Sequence, residues 1–167
     1  MKTLILLRHA KASWSDGAGS DFERGLKPKG LRQAEKMSAH LLKEGVHPEK
    51  IFSSPSRRTR DTLVPFLQRW KIPADAVVFQ DGLYLAHENV LLEQIQLLPD
   101  SLDRVLFLGH NPGLTDLANR LTSSEVYIKS LRSCGVAVIE FPVESWQAVQ
   151  PGEGHLILHL RPKEVED

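Results

Sequence analysis

Three short segments pair groups that bind or attack phosphorus. Arg8-His9 follows the apolar run TLILL, SSPSRR from Ser53 to Arg58 follows KIF, and GHNPG from Gly109 to Gly113 follows VLFL. A guanidinium presents a planar fork of donors that matches phosphate oxygens and keeps its proton, so arginine acts as a clamp. A neutral imidazole can attack phosphorus and a charged one can donate a proton. Positive charge from Arg8 and Arg58 near an imidazole favours its neutral, nucleophilic form, which makes His9 workable as a nucleophile. The ligand these segments predict is phosphate.

Other chemistries are poorly supplied. The chain has no glycine-lysine phosphate loop, no His-Glu-x-x-His, and no serine elbow, since GHNPG carries His110 and Asn111 where a nucleophilic serine would stand. Cys134 is the only cysteine, which excludes an internal disulfide and zinc sites built on several cysteines. A cysteine-phosphatase loop wants Arg six positions after its cysteine, and that position is Glu140, so Cys134 reads as a buried structural thiol. His155 and His159 share one side of a final strand opposite Leu156, Leu158 and Leu160, which reads as a solvated face. Gly152-Glu153-Gly154 precedes no helix and reads as a turn.

The elements that must carry these groups follow from apolar spacing. Strands are predicted at Thr3 to Leu7, Lys50 to Ser53, Ala76 to Phe79, Val105 to Leu108, Val136 to Phe141 and Leu156 to Leu160. Between them, Leu31, Ala34, Met37 and Leu41 share a helix face that Gly45 can end. A second helix starts after Ser56 through Thr59, Leu63, Phe66 and Trp70, with Pro65 expected to kink or reset it. Asn89 is expected to cap a helix facing inward through Leu92, Ile95 and Leu98, and Leu114, Leu117, Ala118 and Leu121 mark another. Strand alternating with helix implies an α/β fold with a mostly parallel sheet covered on both faces. QPGEG before the last strand supplies turn chemistry for a hairpin, hence one antiparallel edge strand. In open parallel sheets, ligands bind beyond the carboxyl ends of strands, where all three segments fall. Lys11 to Lys29 lacks apolar period and is longer than an ordinary connection, which marks it as functional.

Bulk properties narrow the partners. The chain has 167 residues, 41% of them hydrophobic and 25% charged, which suits one domain over residues 1–167. Twenty-one Lys+Arg balance 21 Asp+Glu, so no global field favours nucleic acid or an acidic membrane, and any anion site is local. No apolar run approaches a bilayer span and the amino terminus lacks a signal-peptide core, from which a cytoplasmic location is expected.

With Arg8-His9, Ser53-Ser54-Pro55 through Arg58 and Thr62, and Gly109 to Gly113 in order, the chain resembles the histidine phosphatase superfamily, with its phosphoglycerate-mutase-like fold. LLRHAKA, DFERGL, LYLA and LGHNPGLTDLA are similar to its phosphohistidine phosphatase branch, the SixA type. The resemblance implies a three-layer α/β/α sandwich with about six strands. It also implies that His9 is transiently phosphorylated, that Arg8, Arg58, His110 and Asn111 hold the phosphoryl group, and that water then releases phosphate without metal or cofactor. Arg58 takes this role because it stands four positions before Thr62, which leaves Arg57 for substrate or solvent. For a general acid the resemblance offers Asp81, before GLYLA, with Glu88 as its rival. Ala10 replaces the usual Gly, and Gly25 stands where the branch commonly has Pro, which implies a looser long loop. The substrate is expected to be a phosphohistidine-containing signalling protein. The alternatives are a small phosphorylated molecule, read by Lys11, Ser13, Trp14, Arg24 or Lys27, or phosphoprotein binding without turnover.

Overall fold

The structure, a computed structural model, describes residues 1–14 and 19–165, so residues 15–18 of the long loop lie outside the described residues. Every apolar run anticipated as a strand forms one: β1 (Lys2–Arg8), β2 (Lys50–Ser53), β3 (Val77–Phe79), β4 (Arg104–Gly109), β5 (Val136–Phe141) and β6 (His155–Leu160). They make one sheet in the order β3-β2-β4-β1-β5-β6. β3, β2, β4 and β1 are parallel, while β5 pairs antiparallel with both β1 and β6. The antiparallel pairing therefore sits at the β6 end, and the reversed strand is β5, one place in from the edge. Its link to β6 also holds a short turn of helix at Trp146–Ala148, so QPGEG is the last bend of a longer connection.

Period-two alternation along β1 sends its side chains to two cores. Ile5 and Leu7 pack with Ala34, Met37 and Leu41 of α1 (Pro28–Lys43) and Leu63, Phe66 and Trp70 of α2 (Arg57–Trp70). Leu4 and Leu6 pack with Leu92 and Ile95 of α3 (Glu88–Gln96) and Leu114, Leu117 and Leu121 of α4 (Gly113–Leu121). The result is the expected three layers. Since β1 feeds α1 on one face and the adjacent β4 feeds α4 on the other, the chain parts above these two strands. A crevice opens at their carboxyl ends, as at any switch point of an open sheet.

Three local expectations are corrected. Pro65 does not reset the chain: α2 continues through it as one helix, because the buried Leu63, Phe66 and Trp70 on both sides of it anchor one helix to the sheet. The cap of α3 is His87, whose Nδ1 accepts the Asn89 N–H at 3.1 Å, so Asn89 lies within the first turn. Leu31 is 43% exposed, at the margin of the apolar stripe of α1. Gly45 does follow the end of α1, in the left-handed conformation with φ 77° that such an exit requires. No described helix is long and apolar enough to cross a membrane.

Candidate active site

The register of β1 against β4 sets Arg8 beside Gly109, so His9 and His110 emerge as neighbours from adjacent strands. Their ring centroids lie 5.3 Å apart. From β2, Ser54 donates its backbone N–H to Leu108 O at 3.0 Å, which aligns the third segment with the other two. Arg8, His9, Arg58, His110 and Asn111 then line one cavity of about 420 Å³, with Asp21, Arg24, Trp14 and Lys11 around its mouth.

Thr62 couples the helix to the strand. Its hydroxyl donates to Arg58 O at 2.7 Å and accepts the Ala10 N–H at 2.9 Å, which fixes Arg58 relative to His9. Arg58 is 2% exposed, whereas Arg57 is 58% exposed and lies 3.7 Å from Asp61. His9 Nδ1 is 2.8 Å from Ala10 O. A carbonyl can only accept, so Nδ1 carries the proton and Nε2 keeps a lone pair. Ser54 Oγ lies 2.8 Å from His110 Nε2.

Among the described residues, three buried nitrogens have no hydrogen-bond partner: Arg8 Nε, Arg58 Nε and His110 Nδ1. All three belong to side chains that line this cavity. Buried polar atoms are nearly always paired, so orphaned nitrogens on three side chains that line one cavity point to an anion there.

The comparisons with known proteins agree with that geometry. Residues 4–81 match the histidine phosphatase superfamily (branch 1), a stretch that takes in the first two strand ends. An uncharacterized protein of Mycobacterium leprae is 30% identical over 121 residues, covering 71% of this chain and 72% of that protein. A crystal structure from Agrobacterium tumefaciens, described as a candidate phosphohistidine phosphatase SixA, superposes with a TM-score of 0.83 at 25% identity, over 96% of this chain and 98% of that one. The chain belongs to the histidine phosphatase superfamily. The fold alone is further matched by the protein histidine phosphatase SixA complexed with tungstate, with a TM-score of 0.82 at 19% identity over 97% of this chain and 98% of that one.

In this histidine phosphatase the field of the cavity sets the protonation of both rings. Burial drives the pKa of His9 down to about 4; the Ala10 carbonyl opposes that shift, and the charges of Arg58 and Arg8 reinforce it. Burial likewise drives His110 down to about 3, helped by His9 and Arg58. Both imidazoles are therefore neutral at pH 7. Burial and the nearby Arg132 and Arg58 lower the proton affinity of Arg8, though from so high a starting value that it stays a cation.

The carboxylate at this cavity is Asp21, which the sequence reasoning missed. Its carboxylate accepts a short hydrogen bond from the Tyr84 hydroxyl and bonds from Arg24 at 2.9 Å and Arg58 at 3.0 Å. The Tyr84 contact first, then Arg24 and Arg58, hold its carboxyl far below the usual carboxylate range. Asp81 and Glu88 do not line the cavity. Asp81 opens a single helical turn, Asp81–Leu83, and the residue that reaches back to the site is Tyr84 at its end.

Asn111 is corrected as well. Its side-chain amide donates to Leu131 O at 2.9 Å and Ser130 Oγ at 3.2 Å, and its Oδ1 accepts from the Thr115 hydroxyl at 2.7 Å. Both donors are thus spent on holding the 130–131 loop. Leu131 O in turn accepts from Arg8 at 2.9 Å, so Asn111 reaches the site through Arg8. The long loop is tied at both ends despite Gly25: Lys27 N–H donates to Lys11 O at 2.9 Å and Ser13 N–H to Gly25 O at 2.8 Å. Cys134 is fully buried and burial pushes its thiol up, which leaves it unreactive, while its N–H donates to His9 O at 3.0 Å. Among the described residues no cluster of three or more His, Cys, Asp or Glu is arranged for a metal.

Proposed function

We propose that this phosphatase hydrolyses phosphohistidine in a protein, with His9 as the nucleophile. The observation that carries the reading is that, among the described residues, the cavity holds no proton donor of ordinary acid strength. Asp21, the one carboxylate among the described lining residues, is held ionised, and both imidazoles are neutral.

Proton balance shows which substrates tolerate that. In the first step the Nε2 lone pair of His9 forms a bond to phosphorus as the bond to the substrate imidazole breaks. The substrate reacts with its other ring nitrogen protonated, a form accessible near neutral pH, and so leaves as a neutral imidazole with no proton moved in the step. An alkyl phosphate would instead expel an alkoxide, a far stronger base that demands an enzymic acid. In the second step water attacks phosphorus, the bond to Nε2 breaks, and both water protons leave with the product as dihydrogen phosphate. Arg8 and Arg58 gather the phosphoryl oxygens and His110 Nδ1 donates to one of them, which stabilises the charge that spreads over those oxygens in the transition state. Asp21 acts as a positioning residue that fixes Arg58.

Two measurements test this. Brief exposure to a phosphohistidine protein should leave an acid-labile phosphoryl group on His9, absent from a folded His9→Ala variant. A label that persists in that variant would mean another nucleophile. The ratio of kcat/KM on phosphohistidine to that on glycerol phosphate should exceed about a hundred-fold, the cost of lacking a general acid. A ratio near one would make this an ester phosphatase.

A further inference from the structure

A second, larger cavity of about 590 Å³ adjoins the catalytic one, and Lys11 and Ser133 line both. Of the ten residues around it seven are Lys or Arg, and none of those described is a carboxylate. They come from four places: Lys11 after β1, Lys29, Arg32 and Lys36 on α1, Arg132 beside Ser133, and Arg161 and Lys163 after β6. Arg161 is partly balanced by Glu164, 3.5 Å away. In a chain with zero formal net charge, this is a local field that composition cannot reveal.

The basic surface also continues along α1. Arg32 and Lys36 are shared with a neighbouring groove of about 830 Å³ that adds His40, Lys43 and Arg69, interrupted by Glu35 and Glu164. From Lys29 to Lys43 that strip spans about 21 Å of helix, at 1.5 Å per residue. This exceeds the reach of one small phosphate ester and matches a protein surface. The interspersed carboxylates would repel a phosphate backbone, and among the strip's lining residues there is no Phe, Tyr or Trp on which bases could stack.

Resting on the phosphohistidine reading, we propose that this basic face docks the substrate protein through acidic residues around its phosphohistidine. The phosphoryl group then enters the catalytic cavity across the Lys11 and Ser133 boundary. Complementary charge of this kind raises the encounter rate and selects partners.

The test uses a triple charge reversal, Lys29→Glu, Arg32→Glu and Lys163→Glu, at exposed residues outside the catalytic cavity. The substrates are a phosphohistidine domain with an acidic surround and the free amino acid phosphohistidine. The variant should lose roughly ten-fold or more in kcat/KM on the domain, mostly through KM, and its rate should depend less on salt. Its rate on the free amino acid should stay unchanged. Replacing the domain's carboxylates by amides should reproduce the loss with the unaltered enzyme. An equal loss on both substrates, or none on the domain, overturns the docking surface. So does a case in which single-stranded RNA or anionic vesicles bind the face while rates on the domain stay unchanged. If the unaltered enzyme cleaves neither substrate but does cleave alkyl phosphates, the phosphohistidine reading itself fails, which is a separate result.

Discussion

At the amino end of β1 the Lys2 ammonium, 2% exposed, donates to Asp100 O at 2.7 Å, Leu102 O at 3.0 Å and Asp103 Oδ1 at 2.9 Å. Six residues further along the same strand, Arg8 donates to Leu131 O at 2.9 Å, and its Nε is buried without a partner. An ammonium has three protons and Lys2 uses all of them, whereas a guanidinium has five and the described contacts of Arg8 leave some idle. The same sheet thus buries positive charge at both ends, closed at one and open at the other. A closed site serves stability. An open one costs stability, since burial first and then Arg132 and Arg58 disfavour the charge on Arg8, and such a cost persists where a ligand repays it.

The sharpest way to break this contrast is to remove a cation from the open end. Arg58→Ala should lower turnover on phosphohistidine roughly a hundred- to a thousand-fold, as loss of one preorganised donor does elsewhere. Its thermal midpoint should move little, because its main partner, Asp21, sits at the cavity mouth and not in the core. Steady-state rates alongside a thermal melt check both halves. A near-normal rate with a large loss of stability would place Arg58 in the same class as Lys2.

The reverse pattern should hold at the closed end. Lys2→Met keeps the apolar stem beside the Trp146 ring but strips the partners of Asp100 O and Asp103. It should cost about 3 kcal/mol of folding stability, read from urea unfolding, because it breaks a buried charged network. Turnover should be unchanged. A fall in turnover that outpaces the loss of folded protein would show that the two ends of β1 are coupled.

What could be read from the chain follows the same division. The strand ends were legible because a run such as TLILL stops abruptly at Arg8-His9, and a buried strand that ends in charge must end at a surface or a site. The helices were legible wherever their apolar face repeats, although Pro65 shows that a local breaker yields when buried residues on both sides anchor one helix. Asp21 could not be found this way. It sits in an aperiodic loop whose course depends on the Ala12–Leu26 bridge and on Arg58 reaching across from α2. The signal available was DFERGL itself, where an acid lies three residues before Arg24 and next to Phe22, which packs edge-on against Tyr84. Asn111 misled for a related reason: its strand-end position suggested a ligand contact, but satisfying its amide depended on a loop twenty residues away.

The finest test is the pH dependence of stability, where the open end alone should leave a mark. His9 and His110 titrate near 6.5 in the unfolded chain and at about 4 and about 3 in the fold. Between these limits the unfolded chain binds more protons than the folded one, so stability rises with pH across that window and falls on acidification. Going from pH 7 to pH 5 should cost on the order of 3–4 kcal/mol for the two imidazoles together, measured by urea unfolding at each pH. Asp21, with its pKa held down in the fold, adds a loss of the same sign only below about pH 4, where free carboxyls begin to protonate. The double variant His9→Gln, His110→Gln should flatten the slope between pH 7 and 5, while Lys2→Met should leave it intact. Saturating inorganic phosphate should flatten it too, because an anion bound in the cavity beside the rings raises both pKa values toward those of the unfolded chain. If phosphate left the slope unaltered, the orphaned nitrogens of Arg8, Arg58 and His110 would not be facing a common anion.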